Sequence, residues 1–109
     1  MTTIVISPGK TVRHDPNETR VYQFDWDTYA LAVGASIVSN VFTITAVWPS
    51  TTDAALTKDN ESTIAGRKTQ LRLIGGTAGQ KYNVANRITT NETPAQIFEE
   101  SFFVQVENL

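Results

Sequence analysis

The chain has 109 residues, enough for one domain and too few for two. Nine basic and eleven acidic side chains leave a formal charge of −2 with the signs interspersed, so no basic stripe exists to neutralise phosphates, and nucleic acid is not expected as a partner. There is no cysteine, which excludes a disulfide framework, thiolate metal sites and a cysteine nucleophile.

No apolar run approaches the roughly 18 residues a spanning helix needs, so no membrane partner is expected either. The opening Met1-Thr2-Thr3-Ile4-Val5-Ile6-Ser7-Pro8 lacks the charged region and long apolar stretch of a signal peptide. It reads as a protein made in the cytoplasm without a secretion signal. An extracellular particle released by lysis is a destination that needs no such signal.

Residues 1–14 form an arm. Ile4-Val5-Ile6 is a short apolar run, Ser7-Pro8-Gly9 breaks it, and Thr11-Val12-Arg13 resumes extended character. The arm reads either as a first edge strand or as a tail that orders against a neighbouring chain. Ile4, Val5 and Ile6 are the candidates for such strand addition. The domain proper is expected over residues 15–109.

Asp15-Pro16-Asn17-Glu18 is a turn by composition, since proline fixes its own φ and the short polar side chains bond nearby backbone. In the following run Tyr22, Phe24 and Trp26 share one face, which suits a core strand carrying large rings. Asp27 or Thr28 is placed to cap a single helical turn or a corner over 27–32. Ala35–Trp48 is the longest β-prone run; alternation puts Phe42, Ile44, Ala46 and Trp48 inward and Thr43, Thr45 and Val47 outward, and Pro49 ends it. Residues 50–61 are small and polar and read as a loop, broken at most by a short strand at Ala54–Leu56, with a weak strand over Ser62–Ala65. Thr69, Leu71 and Leu73 then face in.

Gly75, Gly76 and Gly79 fall within five residues and allow a tight reversal. Directly after them Tyr82, Val84, Asn86 and Ile88 alternate with polar or small residues. A tyrosine entering a strand past such a corner fits the tyrosine corner of β-sandwiches, in which the ring is buried and the hydroxyl bonds upstream backbone. Asn91–Ala95 is a turn, and Phe102, Val104 and Val106 face in from a last strand. No three-to-four-residue apolar period persists long enough for a helix. About seven short strands separated by turn signals predict an all-β fold, a single immunoglobulin-like antiparallel β-sandwich.

Chemistry is hard to find in this pattern. His14 stands beside a surface turn with no second histidine to share a metal and no serine in an elbow motif. Asp25 and Asp27 share a face, but a carboxylate pair without a cleft is a weak signal beside the simpler reading as turn residues. Asp15, Asn17, Asp53 and Asp59 add hard oxygens near loops without an EF-hand spacing. Asn17, Asn60 and Asn91 open N-x-S/T triplets that carry no meaning without a secretory signal. The glycine-rich stretch leads into a strand, not a helix, so it is no phosphate loop. The residues describe a non-enzymatic β-module with no catalytic site, metal or cofactor.

The Asp15–Glu18 turn before an aromatic strand ending in Asp25-Trp26, Ser36-Ile37 before the long threonine-rich strand, the Gly75–Thr90 stretch with Tyr82-Asn83-Val84, and Glu100-Ser101 before Val104 and Val106 together resemble the phage fibre–tail adaptor proteins, small immunoglobulin-like proteins of tailed-phage virions. The resemblance spans residues 15 to 106. The chain departs from it in the 50–61 loop and in lacking a glycine in the turn after Thr90. The resemblance implies a virion structural role at the neck or tail, in several copies, with neck, tail or portal-proximal proteins and the tail fibre as partners. It marks Asp25, Trp26, Gly75, Gly76, Gly79 and Tyr82 as structural hallmarks. Two other readings stand beside the adaptor: a capsid decoration or cement protein of the same fold, and a carbohydrate- or receptor-binding module using Tyr29 and Trp48 as platforms. The expected inward orientation of Trp48 weakens the last.

Overall fold

The protein is described by a computed structural model covering residues 4–26, 31 and 33–108. Eight strands form: β1 (Ile4–Ile6), β2 (Thr11–His14), β3 (Thr19–Asp25), β4 (Ile37–Trp48), β5 (Leu56–Ile64), β6 (Lys68–Gly75), β7 (Lys81–Thr90) and β8 (Ile97–Val106). They make two four-stranded sheets, ordered β1-β3-β6-β5 and β2-β8-β7-β4. With β1, β3, β4, β5, β6, β7 and β8 lettered A to G, the sheets read A-B-E-D and, behind an extra strand β2, G-F-C. That order is consistent with an immunoglobulin-like layout.

The all-β sandwich is as the sequence predicts, with one strand more and two pairings that are not antiparallel. β1 runs parallel to β3 (Ile6 beside Phe24) and β2 parallel to β8 (His14 beside Val106). The cause is the break at Ser7–Lys10. The chain reverses there, with the Lys10 N–H donating to the Ser7 carbonyl at 3.3 Å, and crosses from the edge of one sheet to the edge of the other.

The core lies between the inner faces. Tyr22, Phe24, Leu71 and Leu73 from one sheet meet Phe42, Val84, Ile88, Phe102, Val104 and Val106 from the other, all buried, as period-two alternation requires. The Phe24 and Trp26 rings stack with centroids 5.2 Å apart. Each large side chain taken fully out of water contributes on the order of 1.5–3 kcal/mol.

Three expectations need correction. Residues 56–64 are one strand, so the stretch read as loop up to residue 61 is joined to the weak strand expected from Ser62, although only Leu56 among them is buried. β5 is held by backbone pairing to β6 and by Asp59 opposite Arg72, and its register shifts between Asp59 and Ser62, where Asn60 takes φ 52°. Trp48 points outward and is 67% exposed. The β4–β7 register slips between Ala46 and Trp48, and the extra residue, Val47, moves Trp48 off the inward face that simple alternation assigns it. His14 is no surface residue: its side chain is fully buried. The turn expected within 27–32 lies largely outside the described residues.

Candidate functional site

The glycine corner and Tyr82 knit one end of the sandwich. Thr77-Ala78-Gly79-Gln80 turns with the Gln80 N–H donating to the Thr77 carbonyl at 3.0 Å, and Gly79 at φ 88° fits the third position of a type II turn. The Tyr82 ring is fully buried. Its hydroxyl accepts from the Thr77 N–H at 3.1 Å and donates to Asp53 Oδ1 at 2.7 Å. The Tyr82 bond, then the Ala55 N–H, holds the Asp53 carboxyl below its ordinary range. Burial, then the bond to Asp53, pushes the Tyr82 phenol up.

Gln80 is a second staple. Its Nε2 donates to the Ser50 carbonyl at 2.7 Å and its Oε1 accepts from the Ser50 N–H at 3.1 Å. The β4–β5 connection is therefore bonded to the corner. The Gly75 N–H donates to the Glu18 carbonyl at 3.1 Å, which adds the β2–β3 turn. A Cβ on Gly76 would lie 2.8 Å from Val106 Cγ2, and Gly76 has φ 107°, so glycine is needed there for space and for backbone alike.

Trp26 joins the sheets through polar contacts in the core. Its Nε1 donates to Asn86 Oδ1 at 2.9 Å and to Thr69 Oγ1 at 3.1 Å, and Thr69 Oγ1 donates to the same Asn86 oxygen at 2.6 Å. Asn86 Nδ2 reaches the Val41 carbonyl at 3.3 Å. Strands β3, β6, β7 and β4 thus meet at one amide. Asp25 closes β3 opposite Lys68. Sequence reasoning places Asn86 and Thr69 on inward faces but does not draw the consequence that each needs a buried partner.

At the same end as the tyrosine corner, His14 Nδ1 lies 3.0 Å from the Tyr22 hydroxyl, and His14 Nε2 has no partner among the described residues. Desolvation lowers the His14 pKa against the opposing pull of Glu18 and raises that of Tyr22 to about 12.

Several acidic side chains hold structural bonds. Asp15 Oδ1 accepts from the Asn17 N–H at 2.8 Å, and Asp59 takes both Nε and Nη2 of Arg72, at 2.8 and 2.6 Å. Arg13 pairs with Glu107, Arg20 with Glu18, and Lys58 with Glu61. No cluster of three metal-ligating side chains occurs among the described residues. Asp27 and Tyr29 lie outside them. At the opposite end a shallow hollow of about 400 Å³ is lined by Val33, Gly34, Ala35, Ser36, Ala65 and Arg67, and Arg67 Nη1 is engaged with the Ala35 carbonyl at 2.6 Å.

Val5 and Ile6 of the arm differ in surroundings. Val5 is 60% exposed and Ile6 is buried in the core, while β1 pairs through one edge with β3.

This geometry is that of a β-sandwich braced at both ends by buried hydrogen bonds, with Arg13, Arg20, Lys58 and Arg72 each paired to a carboxylate. Residues 14–105 match the family described as podophage GP4 fiber-tail adaptor protein gp77, and the chain belongs to that family. Among solved structures it is similar to the cysteine protease inhibitor EhICP2 of Entamoeba histolytica, with a TM-score of 0.54, 8% identity, and 96% of this chain and 95% of that one covered. At that identity the likeness shows the fold alone. No curated protein matches the chain.

Proposed function

We propose that this protein is a non-enzymatic structural component of a tailed-phage virion, placed at the neck or tail, that attaches tail fibres there by protein–protein contacts in several copies. The observation that carries the reading is the family match over residues 14–105. The physics agrees with it: a sandwich stapled at its corner by Gly76, Gln80 and Tyr82 holds its shape under load and offers strand edges and loops for docking. The adaptor needs no cofactor, nucleic acid or membrane. Asp25, Trp26, Gly75, Gly76, Gly79 and Tyr82 serve the fold, and the arm meets a neighbour through Val5 and the outer edge of β1, where Ile4 also lies. Ile6 supports that edge from the core.

Reconstruction of the virion by electron cryomicroscopy tests the proposal. Density for the sandwich between tail and fibres, with β1 against a neighbour, is expected. Density spread over the icosahedral shell would make the protein a capsid decoration and overturn the placement.

One observation favours a second reading. Trp48, expected inward, is exposed beside Lys81 in the β4–β7 ladder, as a stacking platform for a sugar ring requires. Quenching of Trp48 fluorescence by host-surface oligosaccharides, lost in Trp48→Ala, would establish that reading over the adaptor.

A further inference from the structure

Four strands end a sheet: β1 and β5 in one, β2 and β4 in the other. An open edge is a template for another strand, and proteins blunt it with shortness, charge, bulges or proline. Three of the four edges are blunted. β1 has three residues. β2 has four and carries Arg13. β5 carries Lys58, Asp59 and Glu61 and breaks register at Asn60.

β4 is different. Its twelve residues contain no charged side chain and no proline. Register shifts near each end confine the regular stretch to Ser39–Ala46. Among the described residues, the backbone of 39–46 bonds only towards β7. Val41 is 57% exposed, and Thr43 and Thr45 are exposed beside it on the outer face.

We infer that the open edge of β4 pairs antiparallel with β4 of a second copy of this chain, joining the two β2-β8-β7-β4 sheets into one. Charge decides for a second copy. A charged side chain on an added strand finds no opposite charge on this edge to pair with, whereas the second copy brings an equally uncharged Ser39–Ala46. A two-fold antiparallel pairing must set inward residues opposite inward ones. With Thr43 facing its own counterpart, Val41 lies opposite Thr45 of the second copy, a β-branched pairing that sheets favour. β5 packs beside β4 in the other sheet. Its charges are already neutralised within each copy, Lys58 by Glu61 and Asp59 by Arg72, so the seam brings no unopposed like charges together. This contact is independent of the adaptor reading and leaves the β1 side free.

The test is sedimentation velocity of the full chain over a concentration series, with hydrogen exchange at the same concentrations. A dimer is expected, with amides of 39–46 exchanging more slowly as it forms. Val41→Lys, at a solvent-facing position, is expected to weaken the dimer about tenfold or more while the thermal melt of the monomer is unchanged. Val5→Lys, on β1, is expected to leave the dimer intact. A protein that stays monomeric throughout, or a dimer indifferent to Val41→Lys, overturns the inference.

Discussion

Asn86→Ala tests what holds the two sheets in register. The Asn86 oxygen serves two buried donors, the Trp26 indole at 2.9 Å and the Thr69 hydroxyl at 2.6 Å. After truncation the indole keeps Thr69 Oγ1 at 3.1 Å, whereas the Thr69 hydroxyl loses its acceptor. One unsatisfied buried hydroxyl costs about 1–3 kcal/mol, and the lost indole bond adds about 0.5–1.5 kcal/mol. The expected loss is therefore about 2–4 kcal/mol, a large part of the ~5–15 kcal/mol typical of a domain. Trp26→Phe removes the other end of the indole bond, and in the double variant the losses should fall short of their sum by about 1 kcal/mol. Urea unfolding followed by circular dichroism measures all four proteins, provided the m-values agree. A loss under about 1 kcal/mol for Asn86→Ala, or strict additivity in the cycle, would refute the network as a tie between sheets.

Gly76→Ala combines a positive φ with a 2.8 Å approach to Val106, so about 2–4 kcal/mol should be lost, while Gly79→Ala, with open space around it, should lose only the backbone part; equal melting temperatures for the two would contradict this. Tyr82→Phe removes the hydroxyl that donates to Asp53, so the Asp53 pKa should rise towards the ordinary carboxylate value in a side-chain NMR titration. The sign follows: a carboxyl held low in the fold adds stability above its unfolded value, lost as pH falls through the folded value, and Tyr82→Phe should remove part of that acid sensitivity. For His14, burial lowers the folded pKa below 6.5 against Glu18 and Asp15, so the unfolded chain takes up the proton first; stability should be greatest above 6.5 and decline as pH drops towards the folded value, a slope that His14→Gln should flatten.

Where burial follows alternation, the fold is legible from the sequence. Tyr22-Phe24-Trp26, Leu71-Leu73, Tyr82-Val84-Ile88 and Phe102-Val104-Val106 are inward as their spacing requires, because strands walled on one side by the core must repeat every second residue. The pattern fails where one residue is inserted or where burial is absent. Val47 adds a residue to β4 and turns Trp48 outward. β5 buries only Leu56, so its stabilisation lies in a backbone ladder and the Asp59–Arg72 pair, neither of which leaves a hydrophobic period. His14 is hidden for another reason: β2 lies beside β8 in parallel, a contact across most of the chain that local spacing does not encode. The staples at the corner were half visible. The Tyr82 ring follows from the glycines before it, but Asp53 and Ser50 reach the corner from a distant stretch that reads as a free loop.

Edge strands were the least legible feature. β1 and β2 lie on one side of the sandwich, β5 and β4 on the other. An adaptor meets the parts it joins, whereas the two-fold pairing inferred for β4 closes on one further copy, and one surface serving both contacts would set them in competition. The chain separates the two chemically. On one side the arm carries a short strand with Val5 exposed and leaves Arg13 bonded to Glu107, a small and polar-rimmed edge suited to a specific heterologous contact. On the other, Ser39–Ala46 offers a longer, uncharged edge whose best complement is itself. Changes to the arm should therefore disturb fibre attachment and spare self-association, and changes at Val41 the reverse.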